Sequence, residues 1–399
     1  MRRVGWEIFR VLRVIGMRLL IVSPNYPPQQ GGVQTYSYEL SIHLRPLVDK
    51  LAIVAPWQKH AHVVDKVLDF SIHRIPTIGD NFAFSGILPV AAIATKGKYD
   101  AIFCSHWSAA YPALLAQRIG VTRNLFVGVH GKEVSLRPFA KHAVLQRRYD
   151  EIRRRVFLGA TRLFPVSHYS AALLEKAGVD PKRIQVVPNG VNLSHFFSED
   201  VHSSRKMLGL SQNHRIVLTV ARLVARKGID TTLRALALLK QRHADFIYVI
   251  VGRGPDQHRL ETMVINLGLQ GQVLFRPGVA DGEELRAYYN ACDIFVMPAR
   301  SEVPDVEGFG LVFLEASACA KPVIAARAGG VVDAVQDEVT GFLIDPPDDV
   351  PALAAKLNQL MLDDALCRQL GAAGFAWVTN HMTWRHTALS LYREMVGCL

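Results

Sequence analysis

The stretch Ile184-Gln-Val-Val-Pro-Asn-Gly-Val-Asn192 (IQVVPNGVN) closes one series of short apolar runs, and a polar segment at residues 194–214 separates it from a second series. Upstream, from Met17, strand-length apolar runs stand at residues 18–23 (RLLIVS), 51–55, 101–104, 125–129, 162–166 and 184–187, spaced by helical patterns such as residues 34–44. Downstream the rhythm resumes at residues 216–220, 246–251, 273–275, 294–297, 322–325 and 341–344, with a helix expected over residues 231–242. Strand–helix alternation points to a parallel sheet with helices on both faces. Running twice, it predicts an α/β chain of two doubly wound, Rossmann-like domains facing each other across a cleft. A (β/α)8 barrel needs eight near-equal units, which the interruption argues against. The boundaries expected are 1–192, a linker at 193–213, a second domain at 214–380, and a C-terminal helix at 381–399 crossing back to the first domain.

The size agrees with this division, since 399 residues exceed one ordinary domain. Half the residues are hydrophobic and a fifth charged, ample for two cores. No stretch approaches the roughly 20 apolar residues of a membrane-spanning helix. The five cysteines (Cys104, Cys292, Cys319, Cys367, Cys398) are scattered and form no Cys-x-x-Cys or Cys/His pattern. A reducing, cytoplasmic protein without structural zinc is expected. Arg10 and Arg13 interrupt the apolar residues at the start of the chain, which does not read as a signal peptide.

Charge is unevenly spread. Residues 1–190 hold 26 Lys/Arg against 12 Asp/Glu (+14), and residues 191–399 hold 20 against 23 (−3). Such a field implies an anionic partner for the first half. Zinc fingers, RNP motifs and glycine-arginine tracts are lacking, so nucleic acid is not expected. An anionic bilayer fits better, at about 1 kcal/mol per basic residue near the surface.

The chemistry concentrates in Glu307-Gly308-Phe309-Gly310-Leu311-Val312-Phe313-Leu314-Glu315, which follows a strand and an acidic loop, residues 301–306. Gly308 and Gly310 let backbone approach a ligand. Leu311 and Val312 open a helix whose exposed N–H groups and positive dipole end suit a phosphate. Glu307 in the loop and Glu315 on the helix set two carboxylates, good acceptors for sugar and ribose hydroxyls, at opposite ends of an extended ligand.

This Glu-x7-Glu run resembles the retaining GT-B glycosyltransferases of family GT4, the group 1 family, over essentially the whole chain. The resemblance implies that Glu307 contacts the donor sugar and Glu315 the nucleotide ribose. Residues 219–228 (TVARLVARKG) resemble the family's donor-diphosphate grip, assigning that role to Arg222 and Lys227, with Arg226 expected in solvent. Residues 251–255 (VGRGP) look like a family turn, with Gly254 lining the cleft, though they form no GxGxxG fingerprint. Residues 275–279 (FRPGV) resemble the segment facing the nucleobase, which points to Val279. In the first half Gly31-Gly32 resembles the glycine loop that approaches the reacting centre, making Gly32 a donor-site candidate. His130 stands at a strand's C-terminal end, where open α/β sheets collect ligands, and resembles the family histidine that contacts the donor sugar near its anomeric centre. His106 is a similar candidate left outside the catalytic set. Two departures stand out: Asn192 replaces the usual aspartate of the PNGVD hinge, and Asp333 replaces glutamate in a Gly-Gly-x-x-Glu segment (residues 329–333).

Two segments bear on the membrane. Val144, Leu145, Tyr149, Ile152 and Val156 recur at helical spacing, with Arg147, Arg148, Arg153, Arg154 and Arg155 between them. This is either an interfacial docking helix or a core-packed helix with a solvated basic face. Residues 1–16 form a second basic amphipathic extension, unless translation begins at Met17.

The expectation is retaining transfer of a hexose from a nucleotide diphosphate sugar to a lipid-linked or glycan acceptor in cell-envelope polysaccharide or glycolipid synthesis. GDP-mannose is favoured as donor over a UDP-sugar because residues 305–308 (DVEG) resemble mannosyltransferases acting on lipids. Same-face attack assisted by the leaving phosphate is implied by the resemblance. No metal or other cofactor is expected, since Arg222, Lys227 and the helix starting near Leu311 would stabilise the leaving diphosphate and no Asp-x-Asp constellation occurs. The protein would lie peripherally on the inner face of the cell membrane. A nucleotide-sugar epimerase of GT-B architecture would isomerise UDP-GlcNAc without an acceptor. A catalytically silent membrane-bound subunit of a glycan assembly complex would have no reason to keep Glu307, Glu315, Arg222 and Lys227 together.

Overall fold

The structure is a computed structural model that describes residues 16–29, 31–77, 82–135, 143–242, 245–278, 282–301 and 305–399. The chain forms two compact units, residues 1–188 with 384–399, and residues 189–383.

In the first unit β1 (Arg18–Val22), β2 (Lys50–Pro56), β3 (Ser71–Ile75), β4 (Ala101–Cys104), β5 (Asn124–Val129) and β6 (Arg162–Pro165) build a sheet of order β3-β2-β1-β4-β5-β6. Every pairing is parallel, with Leu19 opposite both Leu51 and Ala101. In the second unit β7 (Arg215–Val220), β8 (Phe246–Val251), β9 (Val273–Arg276), β10 (Ile294–Met297), β11 (Val323–Ala326) and β12 (Gly341–Ile344) run β12-β11-β10-β7-β8-β9, again all parallel. Both are doubly wound sheets whose order reverses once, between β1 and β4 and between β7 and β10. Ligands of such sheets collect beyond the carboxyl ends of the strands at that reversal. Helices cover both faces, so inner strands such as β4, β5 and β10 are buried at every residue and read as unbroken apolar runs.

Several helices begin where a side chain satisfies a first-turn N–H group. Asp349 accepts from Ala352 N (2.8 Å) at the start of Val350–Leu362, and Asp363 accepts from Leu366 N (2.9 Å) at the start of Asp364–His381. Pro351 costs nothing in the first turn, where its missing N–H has no intrahelical partner.

Two strands depart from the expectation. β3 carries no long apolar run: it is an edge strand whose Ser71 and His73 face outward. Residues 184–187 form no strand. They make only an isolated bridge, Leu163 to Ile184, supported by Gln185 N to Leu163 O (3.0 Å) and Val187 N to Pro165 O (2.9 Å).

Residues 193–213, expected as a linker, pack within the second unit. They carry the helix Val201–Met207, capped by Asp200 on Ser203 N (2.7 Å). Arg205 is buried there with its donors satisfied by Ala291 O (3.0 Å), Gln212 O (3.0 Å) and Asp293 Oδ2 (2.8 Å). A buried guanidinium with three acceptors fixes a segment that composition alone presents as polar. The helix Trp384–Val396 packs in the first unit against the helix Gly32–Leu44. The Trp384 ring lies 5.9 Å from Tyr36, and Thr387 Oγ1 donates to Pro188 O (2.9 Å).

The basic helix Ala143–Gly159 is of the core-packed kind. Val156 and Phe157 are buried, and Tyr149 and Ile152 pack on the first unit's core. From Tyr149 onward its apolar stripe is therefore occupied by the core and is not a surface for inserting into lipid; the side chains of Val144 and Leu145 lie outside the described residues. Arg147, Arg148, Arg154 and Arg155 face outward. Arg153 instead pairs with Asp150 (2.7 Å) and donates to Glu133 O (2.8 Å). The proposed extension at residues 1–16 lies, but for Gly16, outside the described residues. Among the described residues, no helix is long and apolar enough to cross a membrane.

Candidate functional site

In the second unit two loops meet at the sheet's reversal point. One follows β7 and contains the short 3-10 turn Ala225–Lys227; the other follows β10 and leads to Glu307. They are locked together through backbone: Arg300 N donates to Arg226 O (2.7 Å). Gly228, at φ +69°, sits so close to Pro298 that a Cβ would lie 2.0 Å from its carbonyl oxygen. Only glycine fits both that conformation and that contact.

This backbone brings three charged side chains onto one atom. Lys227 Nζ and Arg226 Nη1 each donate to Glu307 Oε2 at 2.6 Å, and Arg226 Nε also reaches Asp305 Oδ2 at 3.2 Å. All three groups at the shared oxygen are largely shielded, with side-chain exposures of 11–17%. Burial pushes the Glu307 carboxyl upward, but the adjacent Lys227 and Arg226 cations outweigh it and hold it down at about 2. This placement of Arg226 differs from the expectation that it lies in solvent. Here Arg222 is exposed and Arg226 occupies the cluster, because the 3-10 turn swings residue 226 towards β10.

Behind Glu307, Gly330 N donates to Glu307 O (2.9 Å), and Gly329 at φ +55° leaves no room for a side chain against that carbonyl. The segment Gly329–Asp333 thus holds the backbone of Glu307 from beneath. Ahead of it, Gly310 at φ +94° is the N-cap of the helix Leu311–Ala318 and supplies no capping side chain. The first N–H groups of that helix, at Leu311 and Val312, are left for another acceptor. Gly308, Leu311 and Val312 are half-buried beside Glu307, whereas Phe309 is buried and anchors the loop.

One turn along the helix, Glu315 Oε2 accepts from Tyr289 Oη at 2.6 Å. Tyr289 is fully buried between Phe196 and Phe295, with ring centroids 5.7 Å from each. Sequence reading missed Tyr289: an aromatic at helical spacing signals only core. Gly254 is placed by a close contact of another kind. A Cβ there would lie 2.1 Å from Leu223 O, and at Gly252 1.9 Å from Ala221 O, so this turn packs on the loop that leads to Lys227. Val279 lies outside the described residues.

In the first unit His130 follows β5 and is half-buried. Its Nε2 lies 2.9 Å from Ser105 O, an atom that can only accept, so Nε2 carries a proton and donates, which leaves Nδ1 as the ring's other nitrogen. The ring stands edge-on to Tyr36 at 4.7 Å, and the backbone N–H donates to the buried Glu133 (2.5 Å). Ser105 Oγ in turn donates to Ser23 Oγ (2.8 Å), which lies 2.9 Å from Ser37 Oγ, so a buried hydroxyl chain ties β4, β1 and the helix Gly32–Leu44 together at the reversal point. Gly31 (φ +146°) and Gly32 at that helix's start are exposed. His106 accepts from Ser108 N (3.3 Å) as a helix cap, and burial lowers its pKa to about 4. It is a neutral structural group at neutral pH.

The two doubly wound units, with carboxylates and cations gathered at the carboxyl ends of β7 and β10, define the class of sugar-nucleotide transferases. Residues 200–377 match the family "Glycosyl transferases group 1" and residues 30–195 match "Glycosyltransferase Family 4". The chain belongs to this glycosyltransferase family and is an enzyme of that kind. It is 33% identical to a GDP-mannose-dependent alpha-(1-6)-phosphatidylinositol monomannoside mannosyltransferase of Mycolicibacterium smegmatis, over 95% of this chain and 98% of that one. It is 31% identical to the protein of the same description in Mycobacterium tuberculosis, over 94% and 97%. Among solved structures it superposes on sucrose-phosphate synthase from Thermosynechococcus elongatus with a TM-score of 0.78 at 23% identity, covering 96% of this chain and all of that one. A glycosyltransferase from Rickettsia africae gives 0.76 at 21%, covering 96% and 99%. These likenesses are of fold, and the fold is GT-B.

Proposed function

We propose that this glycosyltransferase moves mannose from GDP-mannose to a phosphatidylinositol-mannoside type of glycolipid, with retention of anomeric configuration. The observation that carries the donor site is the convergence of Lys227, Arg226 and Glu307 at the β7/β10 reversal, beside a helix start with no capping side chain. As the glycosidic bond breaks, negative charge builds on the diphosphate. Lys227, Arg222 and the N–H groups of Leu311 and Val312 stabilise it there. Glu307, ionised at all physiological pH, accepts sugar hydroxyls, and Glu315 accepts from the ribose. The anomeric C–O bond to phosphate breaks as the acceptor hydroxyl oxygen bonds to the same face, and the hydroxyl proton passes to the departing phosphate oxygen. His130 presents Nδ1 as an acceptor for the sugar. Gly32 lies at the start of the first unit's helix in the glycine loop. The positive groups named here supply the charge this step requires, so the reading needs no metal, and turnover should survive EDTA.

The donor and acceptor rest on the relatives described as GDP-mannose-dependent phosphatidylinositol monomannoside mannosyltransferases, which favour GDP-mannose over a UDP-sugar. An anionic membrane surface as partner rests on the charge of the first half and on its exposed groups. Trp57, Val63 and Val67 are 60–74% exposed beside Lys59 and Lys66. We place the enzyme peripherally on the cytoplasmic face of the cell membrane.

The test is incubation with radiolabelled GDP-mannose and vesicles containing phosphatidylinositol monomannoside. Label in an α-mannosylated lipid, read by anomeric NMR, supports the proposal. A β-linked product removes retention, label transferred only from a UDP-sugar removes the donor, and near-wild-type turnover by Glu307→Ala or Lys227→Ala removes the site.

A further inference from the structure

Two cations share one carboxylate oxygen in this structure, yet their commitments differ. Lys227 reaches Glu307 alone, through a flexible stem. Arg226 spans two carboxylates, Glu307 Oε2 through Nη1 and Asp305 Oδ2 through Nε, and its own carbonyl is tied to Arg300 N. A lysine is a point charge that can swing to a new partner, whereas an arginine fork bound at two points keeps its geometry. We propose that Arg226, braced by Asp305, is the positioning residue that keeps Glu307 charged and aimed at the donor sugar once Lys227 has moved onto the donor diphosphate.

The charge count explains why such a residue is required. With donor absent, Arg226 and Lys227 balance Asp305 and Glu307. When the diphosphate draws Lys227 away, Glu307 loses one of its two partners within an enclosed site. Without Arg226 it would be a shielded carboxylate with no cation, which favours its protonated form. A protonated Glu307 loses most of its capacity to accept from sugar hydroxyls. Among the described residues, the charged groups at Glu307 are Arg226 and Lys227, with Asp305 behind Arg226. The inference rests on the proposed donor-site reading, and the test separates the two.

The experiment compares wild type with Arg226→Met, Arg226→Lys and Asp305→Asn, measuring donor kinetics against pH and GDP binding by calorimetry. GDP lacks the sugar and so does not engage Glu307. Arg226→Met should lower kcat at least tenfold, move the acid limb of the kcat profile to higher pH, and change the GDP Kd less than threefold. Arg226→Lys should recover part of kcat, since one amine reaches one carboxylate, and Asp305→Asn, which unbraces Arg226 but keeps its charge, should lower kcat by less than Arg226→Met. A tenfold loss of GDP affinity in Arg226→Met would make Arg226 a phosphate ligand and overturn the proposal. An unchanged acid limb, or a wild-type kcat, overturns it too. Arg226→Met combined with Glu307→Gln should be no worse than Glu307→Gln alone, and additive losses count against the coupling. If Glu307→Gln is itself as active as wild type, it is the donor-site reading that fails. Matching thermal melts of all variants establish that each is folded.

Discussion

Tyr289 donates its hydroxyl hydrogen to Glu315 across 2.6 Å from a ring that solvent does not reach. Glu315 is half-buried on the first turns of the helix Leu311–Ala318, and one of its oxygens is fixed from within the unit. Aromatic contacts to Phe196 and Phe295 hold the ring itself. The carboxylate assigned to the nucleotide ribose is therefore aimed by the core.

Tyr289→Phe keeps the ring and removes only that donor. A hydrogen bond to a charged group contributes about 1.5–3 kcal/mol, and water regains part of it at a half-buried carboxylate. GDP binding should weaken about fivefold by calorimetry, with little change in the thermal melt. Unaltered GDP affinity would mean that Glu315 does not need Tyr289, or does not touch the nucleotide.

Gly329 bears on Glu307 through backbone. At φ +55° a Cβ would stand 2.3 Å from Glu307 O and 2.6 Å from Val306 Cγ1. Gly329→Ala must displace the Glu307 loop and disturb the bond from Gly330 N. The expected result is a loss of kcat/KM of tenfold or more. Gly178→Ala is the control, with φ +86° and nothing within 4 Å. Both variants carry left-handed strain of about 1–2 kcal/mol, so equal losses of activity would refute a specific role for Gly329.

Much of this arrangement was legible in the residues, and what was not has a physical reason. Buried parallel strands expose little of either face to solvent, so β1, β2, β8, β10 and β11 stood out as apolar runs. β3 did not, because an edge strand keeps only alternate residues inward. The Glu307–Glu315 run carried its own geometry: glycines, then a helix start. That Arg226 faces Glu307 rather than solvent was beyond the sequence. A 3-10 turn ending on a left-handed glycine decides which arginine faces Glu307, and no periodicity reports it. Arg205 was likewise hidden, since its three acceptors are separated from it by 7 to 88 positions or lie across the unit.

The Glu307 cluster also couples stability to pH. Its carboxyl falls from the ordinary 4.5 to about 2 in the folded protein. A depressed folded value contributes stability that is present above about 4.5 and is lost as pH falls towards 2. In urea unfolding of wild type and Glu307→Gln, the stability difference should move against wild type between pH 7 and pH 3. The difference staying constant across that range would show that Lys227 and Arg226 do not hold Glu307 in its charged form.

The proposed contact of the first unit with a membrane is assigned to the exposed arginines of the helix Ala143–Gly159. Tyr149, Ile152 and Val156 are committed to the core, which leaves electrostatic attraction as this helix's means of binding. Arg147, Arg148 and Arg154 face outward, whereas Arg153 is held by Asp150 and Glu133 O. Each basic residue near an anionic surface contributes about 1 kcal/mol, and salt screens it within about 10 Å. Arg147, Arg148 and Arg154 changed together to Glu should abolish flotation with phosphatidylinositol-containing vesicles, and 0.5 M salt should release the wild type in the same way. Binding to neutral phosphatidylcholine vesicles should be weak in both. Ile152→Asp should instead lower the melting temperature, since it buries a charge against the core. If the triple variant floats as wild type does, this helix is not the contact, and Trp57→Ala becomes the variant that must release the protein if the patch of Trp57, Val63 and Val67 carries the binding.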